Sequence, residues 1–429
     1  MTAPIHAFYA QSGGVTAVIN ATACGVIETA RRCVEEGNPR IGKVFAGADG
    51  ILGALFEDLI DTSLEPDAAI ARLRHTPGGA FGSCRFKLKD PREERALFER
   101  LLSVFQAHGI GYFFYNGGGD SMDTAAKVAR FASEAGVPLT VIGIPKTVDN
   151  DLTQTDTCPG FASAAKYVAT SMREAGLDVA SMARTSTKIF VMEVMGRHAG
   201  WLTAACGLAS EGSEGDETPP HLLLFPEIPF DEKIFLPRVE HCVTRYGFCC
   251  IAVSEGARDT SGKFLSEQGV RDAFGHAQLG GAGQVVAQRI KEALGLKYHW
   301  ALPDYLQRSA RHLASQTDLE QSYALGKAAV EFALAGENAI MPTVVRLSDK
   351  PYRWKIGSAP LEEVANVERK LPREFIRDDG FHISDACRVW LAPLIAGEAY
   401  PPYRDGLPDY ARFMNTRVPK RLPAFALKI

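Results

Sequence analysis

The 429-residue chain has no CxxC pair and no His-spaced metal pattern, and its nine cysteines are scattered apart from the neighbours Cys249-Cys250. An odd set of that kind excludes a disulfide framework and points to reduced thiols in a cytoplasm. No apolar run approaches the roughly 18 residues that a membrane span requires. The opening MTAPIHAFYA lacks the basic region and apolar core of a signal peptide. Strong charge of one sign is missing too: the formal net charge is −4, which argues against a nucleic-acid or anionic-membrane surface. Internal repeats and low-complexity tracts are also missing. A soluble, cytoplasmic protein is expected, and any anionic ligand must be met by locally placed Arg, Lys and backbone N–H groups.

What is present has the balance of a globular protein, 46% hydrophobic and 23% charged. The length is too great for one ordinary core, and two domains are expected. Apolar runs at 5–10, 43–48, 111–115, 137–144, 188–195, 222–225 and 248–253 read as strands. Between and after them, 15–32, 93–108, 122–135, 161–174, 201–210, 279–295 and 318–335 read as helices. That alternation predicts an α/β protein of two doubly wound (Rossmann-like) domains with parallel sheets. Residues 305–309 read as a strand end or turn. The tail after about Pro372 has no strong period apart from a helix at 383–396, and 401–423 is expected to wrap the surface or a neighbouring subunit.

Glycine turns recur where strands give way to helices, an arrangement that aims backbone N–H groups and the helix dipole at an anion. The sequence has Gln11-Ser12-Gly13-Gly14 and Asn116-Gly117-Gly118-Gly119-Asp120-Ser121, and a glycine-rich loop ends in Cys84-Arg85-Phe86. Asp120 is unusual in such a cradle, because its carboxylate repels phosphate unless a cation sits nearby; it can also cap the helix that follows. The stretch Pro145-Lys146-Thr147-Val148-Asp149-Asn150-Asp151 supplies a cation, a hydroxyl, a carboxamide and two carboxylates at a strand's carboxyl end. Ligands of open α/β sheets bind there.

These pieces, with Met195-Gly196-Arg197, Ser254-Glu255-Gly256 and Tyr305-Leu306-Gln307-Arg308, occur in an order that resembles the phosphofructokinase family up to about Glu331. The resemblance implies phosphoryl transfer to the 1-hydroxyl of fructose 6-phosphate in a cleft between two α/β domains. It divides the chain into a donor domain at 1–158, completed by 309–345, and a sugar-phosphate domain at 159–308, completed by 346–400. Residues 401–429 remain as an extended tail. Asp149 resembles the proton acceptor, with Lys146 and Asp120 as further catalytic residues. Gly14, Arg85, Asp120 and Ser121 resemble donor contacts. Thr147, Val148, Asp149, Met195, Gly196, Arg197, Glu255 and Tyr305 to Arg308 resemble sugar-phosphate contacts, Arg308 offering a fork for the 6-phosphate.

Members using ATP generally have glycine at the positions of Asp120 and Lys146, so the charged pair resembles the pyrophosphate-dependent branch. Two like unit charges about 4 Å apart cost on the order of 4 kcal/mol at an effective dielectric of 20, enough for Asp120 to exclude an α-phosphate. An ATP-dependent enzyme and a non-catalytic sugar-phosphate regulator remain the competing readings. The family's metal-holding acid falls at Gly119, which has no side chain, so Mg2+ is expected on phosphate oxygens, water, Asp151 and Asp120, with the Gly119 carbonyl within approach. Lys188 falls where the family places a cation reaching a neighbouring subunit's substrate, and a homodimer or homotetramer is implied. Residues 270–283 resemble a second sugar-binding pattern, but Leu279 stands where that pattern has arginine.

Overall fold

The computed structural model describes residues 5–210, 217–266 and 281–427. The first of its two larger sheets holds β1 (His6–Gln11), β2 (Val44–Gly47), β3 (Leu59–Asp61), β4 (Ile110–Gly117) and β5 (Thr140–Pro145). It is completed by β10 (Ile340–Asp349) and β11 (Tyr352–Pro360), in the order β11-β10-β5-β4-β1-β2-β3. Its five central strands run parallel, and β3 and β11 are antiparallel edges. The second sheet is wholly parallel, with β6 (Ile189–Val194), β7 (Leu222–Leu224), β8 (Cys249–Ser254) and β9 (Tyr298–Ala301) in the order β7-β8-β6-β9. Buried side chains cover both faces of these strands, Phe8 and Phe113 on one face of the first sheet and Tyr9 and Phe114 on the other, Val191 and Ile251 on one face of the second and Met192 and Cys250 on the other, as parallel sheets require.

The order of the first sheet sets the site. From β1 the chain goes to β2 on one side and later to β4 on the other. The carboxyl ends of β1 and β4 therefore diverge at a switch point, where a ligand crevice opens. The helices Ile19–Glu35 and Gly119–Glu134 start just beyond those two ends.

Several elements differ from the sequence expectation. The hairpin of β10 and β11 lies entirely on the first sheet, so residues 346–360 do not complete the second one. Only Ile340 of β10 pairs with β5, which leaves Pro342 free of a neighbour on that side and removes the usual objection to proline in a strand. Residues 305–309 form a short helical turn, Leu306–Ser309, and not a strand end. The helix Phe161–Met182 runs past its expected end through Gly176, where a Cβ would lie 2.7 Å from Pro219 Cβ. Asp385–Leu391 is shorter than expected because Pro393 follows. Most of 270–283 lies outside the described residues.

Candidate active site

The turn after β1 is tied to the loop carrying Arg85. Gly13 N donates to Cys84 O at 2.9 Å, and Ser83 Oγ donates to Gly13 O at 2.8 Å. Gly13 takes φ +73, a conformation glycine adopts at least cost. A Cβ on Gly14 would lie 2.3 Å from Arg308 Nη1 and 3.5 Å from Arg85 Nη2, and one on Gly13 would lie 3.3 Å from Lys146 Nζ. Three cations thus converge on a turn with no side chain of its own. Burial, with Arg308 and Arg85 beside it, lowers the pKa of Lys146 to about 8 against the pull of Asp149 and Asp151. Burial likewise lowers that of Arg308. Cations held this way are poised for an anion.

Beyond β5, Asp149 N donates to Thr147 Oγ1 at 3.1 Å. Burial, with Asp151 and Glu255 nearby, lifts the Asp149 carboxyl well above the usual carboxylate range, while Lys146 and Arg197 oppose the shift. Burial also raises Asp151. In the other half, Glu255 Oε1 accepts from Gly196 N at 3.2 Å, and Met195 N donates to Gln307 Oε1 at 3.1 Å. Gly256 lets the backbone of Arg197 come close: a Cβ there would be 2.0 Å from Arg197 O. Arg197 Nε is buried without a hydrogen-bond partner among the described residues.

A cavity of about 510 Å³ joins the two halves, lined by Arg85, Val148, Asp149, Asp151, Met195, Arg197, Glu255, Tyr305 and Arg308 from the expected set. Lys146 and Gly14 stand behind its wall, Gly196 and Gln307 brace its far side, and Thr147 fixes the Asp149 backbone. Arg308 lines this cavity and, lying 3.9 Å over the Tyr305 ring, also reaches the turn at Gly14 with its guanidinium. Asp120 pairs with Lys87 at 2.5 Å, Ser121 is buried at the start of its helix, and Leu306 is exposed.

Sequence reasoning missed His198, Ala199, Asp304 and Glu368 in the cavity wall, and Lys87 and Arg369 behind it. Lys87 alternates with Arg85 around the core-packed Phe86, a period-two signal that was available. Glu368, paired with His198 at 3.1 Å, and Arg369 lie in a stretch without motif or period.

For a metal ion, no group of three His, Cys, Asp or Glu residues is placed to hold one among the described residues. Gly119 offers only its carbonyl. Asp151 Oδ1, however, is buried with no hydrogen-bond partner among the described residues. One unsatisfied carboxylate oxygen fits an ion such as Mg2+ that takes its other ligands from phosphates and water.

Residues 6–333 match the family model described as Phosphofructokinase. The chain belongs to the phosphofructokinase family. Within that family it is 61% identical over 422 residues to the pyrophosphate--fructose 6-phosphate 1-phosphotransferase of Halomonas elongata, covering 98% of this chain and 99% of the relative. It is 62% identical over 419 residues to the protein of that name from Methylococcus capsulatus, covering 98% of each. The crystal structure of pyrophosphate-dependent phosphofructokinase from Marinobacter aquaeolei superposes with a TM-score of 0.89 at 57% identity, covering 99% of this chain and 100% of that one. The match to that structure thus runs past residue 333 and takes in the hairpin and the tail.

Proposed function

We propose that the protein reversibly transfers a phosphoryl group from pyrophosphate to the 1-hydroxyl of fructose 6-phosphate, giving fructose 1,6-bisphosphate and phosphate. The observation that carries this reading is the meeting of Lys146, Arg85 and Arg308 at the Gly13-Gly14 turn, with Asp120 in the first turn of the helix after β4. A donor without a nucleoside must be held by charge alone, and this corner supplies it. The names of the relatives from Halomonas and Methylococcus support the same donor and acceptor.

In this reading the first sheet carries the donor and the second the sugar phosphate. Asp149 takes the proton of the 1-hydroxyl as that oxygen bonds to phosphorus, and the bridging P–O bond of pyrophosphate breaks to release phosphate. Lys146 and Arg85 balance the charge on the transferred group, the main lever in phosphoryl transfer. Glu255 accepts hydrogen bonds from sugar hydroxyls, and Arg197, with its unsatisfied Nε, meets the sugar phosphate. Arg308 spans both halves and orders the two ligands against each other. Asp151 would hold Mg2+, which when bound neutralises phosphate charge.

The protein acts as a homodimer or homotetramer in this reading, as the family resemblance implies; sedimentation showing only monomer at working concentration would rule that out. The decisive experiment is an assay of fructose 6-phosphate phosphorylation with each donor separately. Turnover with pyrophosphate at least a hundredfold above that with ATP is expected. Equal or greater turnover with ATP would overturn the donor assignment.

A further inference from the structure

Asp120 raises a problem that the donor reading leaves open. In that reading a carboxylate in the first turn of the helix after β4 stands beside a donor carrying several negative charges, and like charges in a partly desolvated cleft repel strongly. The structure answers with a residue outside the cavity wall. Lys87 Nζ lies 2.5 Å from Asp120 Oδ1 and 4.0 Å from Asp123 Oδ2. Asp123 is itself engaged by Lys127 and by Asn366, so Lys87 is committed chiefly to Asp120.

The position of Lys87 is built by the fold. Cys84 bridges to Ser12, and its carbonyl accepts from Gly13 N, which locks the loop against the donor turn. Phe86 packs into the core of the first sheet, so Arg85 and Lys87 project together from the opposite side of this extended stretch. Arg85 reaches Gly14; Lys87 reaches Asp120. Three segments therefore meet around the donor position: the turn 12–14, the loop 83–87 and the helix start at 118–120. The Lys87–Asp120 pair is the tie between the second and the third.

We propose that Lys87 is a positioning residue for donor specificity, acting through Asp120. By holding that carboxylate across to the 83–87 loop, it removes the repulsion toward pyrophosphate and closes the donor corner to any longer polyphosphate chain. The proposal rests on the pyrophosphate reading above and extends it to a residue with no ligand contact of its own. Both side chains are partly exposed, at 35% and 42%. Exposed pairs contribute little to folding, so variants at Lys87 will fold and their kinetics can be read directly.

The test compares wild type with Lys87→Met, Lys87→Arg, Asp120→Asn and the Lys87→Met/Asp120→Asn double variant, using pyrophosphate and inorganic tripolyphosphate as donors. Lys87→Met is expected to raise KM for pyrophosphate at least tenfold while KM for fructose 6-phosphate changes less than twofold. Lys87→Arg should restore KM to within threefold of wild type. The double variant should be no worse than Lys87→Met alone, because the two residues act as one unit. Tripolyphosphate should gain at least fivefold in kcat/KM in the double variant, where neither the tie nor the Asp120 charge remains. A KM for pyrophosphate within twofold of wild type in Lys87→Met, or effects of the two single changes that multiply, would overturn the proposal while leaving the donor reading intact. A wild-type enzyme idle with pyrophosphate would overturn both.

Discussion

Asp149 and Lys146 are each made useful by what surrounds them. Asp149 shares a buried corner with Asp151 and Glu255, and its carboxyl therefore holds its proton to higher pH than an exposed aspartate. Only the ionised form accepts a proton, so kcat/KM should fall as pH drops through that raised pKa. Lys146 loses its charge above about 8 in the ligand-free enzyme, because burial and two arginines press on it. Since kcat/KM reports the free enzyme, the profile should be bell-shaped, with its alkaline limb near 8. Lys146→Arg keeps a cation at all accessible pH and should abolish the alkaline limb while leaving the acid one. An alkaline limb that persists in that variant would assign it elsewhere. Asp149→Asn should cut kcat by about 10²- to 10⁴-fold, with KM for fructose 6-phosphate within threefold. Asp149 and Lys146 could be picked out from the sequence because they share one seven-residue stretch. Their environments could not, since Arg85, Glu255 and Arg308 come from other loops.

The loop that carries Asp149 is held from behind by a segment far along the chain. Arg369 donates through Nη2 to Asn150 O at 3.0 Å and through Nη1 to Asp156 O at 2.9 Å, and lies 4.7 Å over the ring of Trp201. Asn150 takes φ +53, and its Oδ1 accepts from Cys158 N at 2.9 Å. The bend between Asp149 and Asp151 is thus fixed on both sides. Arg369→Met should destabilise the protein by about 1–3 kcal/mol, the cost of leaving buried carbonyls without a donor, measured by urea unfolding. In the folded fraction kcat should fall at least tenfold with KM nearly unchanged, and Arg369→Lys should recover part of both. Unchanged kcat in folded Arg369→Met would make the contact purely structural. Elements of this kind mark the limit of reading a chain locally. The turns after β1 and β4 announce themselves by glycine and helix period within a dozen residues. The strap at 365–371 has neither, and its role exists only once β11 has carried the chain back to the cleft. The turn Leu306–Ser309 is likewise too short to show a period.

At the scale of the molecule, the last stretch of chain completes the first sheet's surface. Val418 N donates to Leu59 O and Asp61 N to Thr416 O along β3, and Val418, Leu422 and Phe425 pack on the core beneath. The expectation of a wrapping tail meets this arrangement within a single chain. Its anchor is Glu57, fully buried, whose carboxylate accepts from Arg421 N, from Leu422 N at 3.1 Å and from His108 Nε2 at 2.7 Å. Burial alone would raise the Glu57 pKa, but those bonds, the Arg421 backbone N–H first among them, lower it below the ordinary glutamate value. A carboxylate with a depressed folded pKa contributes stability that is present above its unfolded pKa, near 4.3, and lost as pH falls through the folded value. Removing residues 410–429 takes away both backbone donors while leaving the cleft untouched. The truncated enzyme should be less stable by about 3–5 kcal/mol at neutral pH, and the gap to the intact chain should narrow on acidification, because a protonated Glu57 no longer needs those donors. Glu57→Gln in the truncated chain should recover part of the loss, because a neutral amide tolerates the missing donors better than a buried charge. Equal urea midpoints for intact and truncated chains across pH 4–8 would show that the tail merely rests on the sheet.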